Sequence, residues 1–141
     1  MENFIEKKKN VEPEQTYEFV KSKGINILTF EDANYPFMLK QISNPPMTLF
    51  YKGDLFSCNL ERTVAFVGSR RASFAGKESV EKILKDLCNT DICVVSGLAA
   101  GIDAISHKSA IENNLKTIGV IASGFEHIYP ASNKYLYEKK G

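Results

Sequence analysis

Three short apolar runs follow one another after residue 62, at residues 64–67, 92–95 and 117–121. Continuous runs of this length predict strands that are covered on both faces, as in a parallel sheet. An amphipathic stretch at residues 74–88 predicts a helix after the first run, and a second helix is predicted at residues 102–113, between the second and third runs. Strand, helix, strand, helix and strand at this spacing predict a right-handed β-α-β-α-β unit.

The first 61 residues have a less regular pattern. It predicts an amphipathic helix at residues 14–23, a strand at 25–30, a helical turn that opens at Asn34-Tyr35-Pro36, and a strand at 47–51. We therefore divide the chain into an N-terminal helical segment (residues 1–24), an extension (25–61) and a main α/β unit (62–141). A last helix is predicted to start near Pro130.

Composition narrows the class of protein. The chain has 141 residues, of which 43% are hydrophobic, enough for the core of one domain. No apolar run approaches the roughly 20 residues of a membrane span, and no apolar segment follows Lys7-Lys8-Lys9, so we predict neither a membrane segment nor a signal peptide. The three cysteines form no C-x-x-C pair and have no His at ligand spacing, which favours a reduced, cytoplasmic protein without a metal site.

Net charge is uninformative overall but uneven along the chain. The total is +1, which alone predicts no nucleic-acid partner. Residues 1–61 carry 7 Lys/Arg against 9 Asp/Glu, whereas residues 62–141 carry 11 against 8. The excess of positive charge therefore lies in the part that carries the β-α-β-α-β pattern, and it matters if those residues converge on one surface.

Candidate chemistry lies where the predicted strands end, because ligands of open parallel sheets bind outside the carboxyl ends of the strands. Gly68-Ser69-Arg70-Arg71 follows the first strand and precedes a helix, whose N-terminal N–H groups favour an anion. The hydroxyl of Ser69 can donate a hydrogen bond, and Arg70 can hold a phosphate through two parallel donors.

The two later strands end in comparable positions. Ser96-Gly97 repeats the layout after the second strand, and Asn133 with Lys134 begins the last helix from the same side. The eight candidate ligand-binding residues are Gly68, Ser69, Arg70, Arg71, Ser96, Gly97, Asn133 and Lys134.

Several of these residues also have an ordinary structural interpretation. Gly97 and Gly101 are equally consistent with packing at a strand–helix junction, and Arg71 with a solvated surface charge. Asp103 is more typical of a helix start than of a ligand, and His107 of a packed, hydrogen-bonded side chain. His127 is typical of an ordinary loop position, and Tyr129 of a loop anchor, although stacking on a base stays open.

The loops do not match the common nucleotide-binding motifs. Arg70, Arg71 and Ala72 stand where the dinucleotide fingerprint G-x-G-x-x-G requires further glycines, and no G-x-x-x-x-G-K-[ST] motif is present. No nucleophile, base and orienting group occur at a recognisable spacing. The pattern favours a site that holds phosphates and catalyses no reaction on them.

Together these residues resemble the DprA/Smf family of DNA-processing proteins. The resemblance rests on Val64 to Arg70, on Val94 to Ala104 with His107, and on Ile128-Tyr129-Pro130 with Asn133 and Leu136. Asp32, Tyr35-Pro36, Leu39, Ile42, Pro45-Pro46, Leu49-Phe50-Tyr51 and Gly53-Asp54 also fit the family pattern. It covers about residues 25–140.

The resemblance implies a Rossmann-like α/β fold, an open parallel sheet with helices on both faces. It also implies a cytoplasmic protein that binds incoming single-stranded DNA in natural transformation, protects it and helps to load the RecA recombinase, with no cofactor and no enzymatic activity. The family's phosphate-contacting arginine corresponds to Arg70, and the polar residues after Tyr-Pro correspond less securely to Asn133 and Lys134.

Two departures from the family pattern limit what carries over. Phe125-Glu126 replaces the usual Leu-Asp pair, and the sequence stops at Gly141, inside the family's Rossmann-like domain. The fold is therefore expected to be incomplete at the C-terminus, and a homodimer to be weakened. Two other classes stay open: a nucleotide-processing enzyme of the lysine-decarboxylase-like Rossmann group, whose Pro-Gly-Gly-x-Gly-Thr loop is not found in these residues, and a non-catalytic interaction module.

Overall fold

The computed structural model describes residues 12–126, 130–133 and 135–136. The helices are α1 (Pro13–Ser22), α2 (Phe37–Lys40), α3 (Phe74–Asp86) and α4 (Ile102–Glu112). The strands are β1 (Asn26–Thr29), β2 (Thr48–Tyr51), β3 (Thr63–Ala65), β4 (Cys93–Ser96) and β5 (Lys116–Gly119). Two 3-10 turns lie at Leu55–Ser57 and Ala131–Asn133.

The predicted order of elements is confirmed. Strands β3, β4 and β5 form a parallel sheet in that order, in the register Val64↔Val94↔Thr117. The 3-10 turn at Leu55–Ser57 was not predicted. It forms because the Asp54 carboxylate accepts a hydrogen bond from the Ser57 N–H at 3.1 Å.

One face of the sheet carries the core. Strand order without reversal, combined with right-handed crossovers, puts both long helices on the same side. Residues of α3 and α4 accordingly pack against alternate residues of the strands. The buried cluster comprises Phe66, Val80, Leu84, Val94, Ala110 and Leu115.

The opposite face, which we call the outer face, differs from the sequence expectation of strands covered on both sides. Within the described residues, Val67 at the end of the first apolar run is 87% exposed and Val120 is 61% exposed. Both α3 and α4 pack on the other face. At the amino end of the strands, by contrast, the outer face buries Cys93 completely.

The first part of the chain forms a small unit of its own. Strands β1 and β2 pair antiparallel in the register Asn26↔Tyr51, and α1 precedes them. Tyr35 is 3% exposed, and its hydroxyl donates to the Pro46 carbonyl at 2.7 Å. The antiparallel pair ends at Tyr51 and the parallel sheet begins at Thr63. The proposed boundary at residues 61/62 and the division into separate domains stay predictions.

Candidate functional site

The loop after β3, residues 68–73, is named here the arginine loop. Gly68, Ser69, Arg70 and Arg71 are all exposed at the carboxyl end of the sheet. The Ser69 hydroxyl shapes the loop, because it accepts from the Arg71 N–H and donates to the Arg71 carbonyl, each at 3.1 Å. This local turn brings two consecutive guanidinium groups to the surface.

Neither arginine of this loop is neutralised by an acidic side chain of the described residues. The ion pairs of that part of the chain join Lys23 to Glu126, Arg62 to Asp91, Lys77 to Glu81 and Lys108 to Glu112. Both guanidinium groups therefore keep their donors for a ligand, and a guanidinium suits a phosphate better than an ammonium does because of its planar fork.

The helix that follows the arginine loop, α3, offers fewer free N–H donors for an anion than the sequence suggested. Ser73 caps α3, and its hydroxyl accepts from the Gly76 N–H at 3.1 Å. One of the helix's N-terminal donors is thus already used inside the protein. The arginine side chains and the loop backbone are therefore the main remaining donors at this edge.

The start of α4 supports the arginine loop from beneath. The Ile102 N–H donates to the Ser69 carbonyl at 3.1 Å. Gly101 has φ +79°, and a Cβ there would overlap the Ser69 carbonyl oxygen and lie 2.6 Å from the carbonyl carbon of Arg70. A Cβ on Gly68 would meet the Ile102 side chain at 2.6 Å. Only glycine fits at position 101, so the close approach of Gly101 to Ser69 and Arg70 fixes the position of the arginine loop relative to α4.

The loop after β4, residues 97–101, is named here the clamp loop, and it is occupied by the protein's own carboxylate. Asp103, 8% exposed, accepts hydrogen bonds from the Gly97 N–H at 3.1 Å and the Ala99 N–H at 3.4 Å. These are the backbone donors that an anion would otherwise use. The interpretation of Asp103 as a helix-start residue agrees with this geometry.

Two predicted ligand residues use their side chains for hydrogen bonds inside the protein. Ser96 is 4% exposed, and its hydroxyl donates to the Phe66 carbonyl at 2.7 Å. Asn133 is 5% exposed, and its amide donates to the carbonyls of Leu98 at 2.9 Å and Ala99 at 3.1 Å. The two Asn133 bonds lie at Leu98, whose φ of 57° is in the left-handed region that bulky residues rarely adopt. Both side chains position backbone and do not face the surface.

Of the remaining candidates, the structure describes His107 but not the other three. His107 is completely buried, and its Nδ1 lies 2.7 Å from the Thr117 hydroxyl, which confirms the expected packed and hydrogen-bonded role. His127, Tyr129 and Lys134 lie outside the described residues. Among residues 12–126, 130–133 and 135–136, no group of three potential metal ligands converges.

Sequence reasoning underestimated Gly101 and Asp103. Gly101 directly precedes a helix without a Ser, Thr or Asp at the capping position, and that absence could have indicated a glycine required by backbone conformation. The distance of six residues from Gly97 to Asp103 gives no comparable signal, because the bond depends on how the clamp loop turns back.

The described helices also bear on the membrane question. No stretch of helix in that part of the chain combines the length and apolar character that a bilayer crossing requires.

The fold and this edge define the class of protein. It is a Rossmann-like α/β protein in which the loop after β3 carries an exposed pair of arginines. Comparison with known proteins agrees. Residues 26–140 match the family described as DNA recombination-mediator protein A, and the chain belongs to this family. Residues 26–140 include both loops and the antiparallel pair.

Individual relatives support the assignment. The chain is similar to DNA processing protein DprA of Bacillus subtilis, 43% identical over 116 residues, which are 82% of this chain and 39% of the relative. It resembles the X-ray structure of DprA from Streptococcus pneumoniae with a TM-score of 0.82 and 36% identity, over 96% of this chain and 47% of that one. A DprA structure from Helicobacter pylori, described for its single-stranded DNA binding mode, gives 0.69 and 25% over 82% and 50%. The chain thus spans half or less of these relatives' length.

Proposed function

We propose that this chain binds single-stranded DNA through the arginine loop, as part of a protein of DNA uptake in natural transformation. The observation that carries the proposal is the pair Arg70 and Arg71, exposed at the carboxyl edge and without a carboxylate partner among the described residues. The Helicobacter pylori relative, which is described as binding single-stranded DNA, supports the choice of ligand.

The site residues take different roles in this proposal. Arg70 and Arg71 contact phosphates, and Gly68 and Ser69 shape the backbone that presents them. Ser96, Gly97 and Asn133, predicted as contacts, act by holding the clamp loop on which the arginine loop rests. Lys134 is kept as a phosphate contact, on the strength of its position after Asn133 in the sequence.

Binding of this kind has little sequence preference and needs no catalysis. Phosphate contacts hold the strand without reading its bases. We infer that the protein protects the bound strand in the cytoplasm and hydrolyses neither nucleotides nor DNA. Loading of RecA and formation of a homodimer are proposed for the longer protein of which these residues match a part, on the family resemblance.

The test replaces Arg70 by alanine and titrates labelled oligo-dT at two or more salt concentrations. A charged hydrogen-bonded contact typically contributes about 1.5–3 kcal/mol. Arg70→Ala should therefore weaken binding roughly ten- to a hundredfold at unchanged melting temperature. The slope of log K against log salt should flatten by about 0.7, the loss of one phosphate.

Matched variants separate charge from geometry. Arg70→Lys should recover only part of the loss, because lysine keeps the charge and not the bidentate fork. Arg71→Ala should cost less than Arg70→Ala, and Arg62→Ala, which removes an arginine from the amino end of the sheet, should leave binding unchanged. Equal affinity for duplex and single strand, or parental binding by Arg70→Ala together with a sharp fall in melting temperature, would refute the proposal.

A further inference from the structure

Two of the three cysteines meet at the amino end of the parallel sheet, the edge opposite the arginine loop. Cys93 opens β4 and is completely buried on the outer face. Cys58 ends the 3-10 turn before β3 and is partly exposed. The Cys93 thiol lies near enough to the Cys58 thiol to lower its pKa by hydrogen bonding.

The flanks of both cysteines are tied together independently of the sulfurs. The side-chain amide of Asn59 donates to the Asp91 carboxylate at 2.9 Å, and Arg62 forms an ion pair with the same carboxylate. The Cys93 N–H donates to the Arg62 carbonyl at 2.8 Å. These contacts hold residues 59–62 against residues 91–93, next to both thiols, and proximity favours reaction between the two thiols over reaction with other molecules.

The environment also makes one of the two thiols nucleophilic. The hydrogen bond from Cys93 lowers the pKa of Cys58 to about 7, with smaller contributions from Ser57 and the Lys116 ammonium, against opposing effects of burial and of the Asp54 carboxylate. Lys116 is the register partner of Cys93 on β5, so its charge lies on the same face as the pair. A substantial fraction of Cys58 is thus thiolate near neutral pH, the form that reacts with oxidants.

We propose that Cys58 and Cys93 are a reactive thiol pair that a hydroperoxide converts into a disulfide, which staples the segment before β3 to the base of the sheet. The Cys58 thiolate attacks one oxygen of hydrogen peroxide, the O–O bond breaks, and hydroxide leaves, giving a sulfenic acid. The Cys93 sulfur then attacks the Cys58 sulfur, the S–O bond breaks, and the leaving hydroxide takes the Cys93 proton as water. Two thiols and one peroxide yield one disulfide and two waters.

The experiment treats the purified chain with equimolar hydrogen peroxide at pH 7.5 and maps its peptides without reduction. A Cys58–Cys93 linked peptide should appear, two of the three thiols should disappear from a thiol titration, and dithiothreitol should restore both. The closed loop restricts the unfolded chain, so the oxidised protein should melt roughly 5 °C or more above the reduced one. Oligo-dT binding should stay unchanged because the pair lies at the opposite edge from the arginine loop.

Cys88 provides the matched control. Cys88→Ser should still form the link, whereas Cys58→Ser should form none and leave Cys93 reduced at the same peroxide concentration. Linkage through Cys88, sulfinic acid on Cys58 with Cys93 unmodified, or two free thiols at both positions after a tenfold excess of peroxide would each overturn the proposal.

Discussion

The arginine loop and the clamp loop follow neighbouring parallel strands, and both precede a helix, yet their polar groups are used in opposite ways. In the clamp loop the Asp103 carboxylate occupies the backbone donors and Asn133 occupies the carbonyls. In the arginine loop the guanidinium groups have no carboxylate partner among the described residues. The clamp loop is stabilised by hydrogen bonds to the protein's own side chains, and the helix after it supports the arginine loop. The arginine loop is exposed, and among the described residues no carboxylate compensates its charge.

A glycine-containing loop at the carboxyl edge can therefore bind a ligand only if the protein's own side chains do not already occupy its hydrogen-bond donors. The two loops look alike in sequence, because each has a small polar residue next to a glycine after an apolar run. A buried carboxylate from the following helix accepts from two N–H groups of the clamp loop, and those buried donors would be costly to leave unpaired. In the proposed function, binding belongs to the arginine loop and rigidity to the clamp loop, and the two loops touch at Gly101.

The largest effect is expected at that contact, from Gly101→Ala. The new Cβ would overlap the Ser69 carbonyl oxygen, at a φ of +79° that already strains an alanine. We expect a loss of about 3 kcal/mol or more in unfolding free energy, measured by urea denaturation, and a fall in oligo-dT affinity because the arginine loop is displaced.

Gly24→Ala is the matched control for this variant. Gly24 has φ +65°, but nothing lies within 4 Å of a Cβ built there. It should cost only the backbone strain, about 1 kcal/mol, and leave DNA affinity at the parental value. Equal losses for the two variants would show that the two loops are not coupled through Gly101.

A smaller loss of unfolding free energy is expected from Asp103→Ala, which removes the carboxylate from the clamp loop. The Gly97 and Ala99 N–H groups lose their acceptor, at a cost of about 1–3 kcal/mol. Asp103→Asn keeps one carbonyl oxygen and should recover much of the stability in the same denaturation assay.

The exposed ion pair between Lys108 and Glu112, near the C-terminus of α4, provides the control for the stability effect of Asp103→Ala. Glu112→Ala breaks the contact of Glu112 with Lys108, which are 58% and 61% exposed, and should cost less than about 0.5 kcal/mol. If Asp103→Ala were as mild as Glu112→Ala, the clamp loop would not depend on its carboxylate.

The sequence predicted the order of elements, the parallel sheet and the edge at which the arginines lie. Apolar runs and amphipathic stretches record strand and helix periods directly, and strand ends follow from them. The exposure of Val67 was not predicted, because an apolar run shows that a face is apolar and not which segment covers it. The internal roles of Ser96 and Asn133 were missed because they depend on bonds to residues 30 or more positions away.

Of the substitutions that act on the two loops, Asn133→Ala is expected to have the smallest effect. Its amide donates to the Leu98 and Ala99 carbonyls from a buried position, so truncation should cost about 1–2 kcal/mol and release the left-handed backbone of Leu98. Asn133→Asp should be worse, because a carboxylate would face two carbonyl oxygens. Since the amide does not reach the surface, the salt slope of oligo-dT binding should keep its parental value in both variants. A slope flattened by about 0.7, at unchanged denaturation midpoint, would instead make Asn133 a phosphate contact and extend the binding site from the arginine loop across the clamp loop.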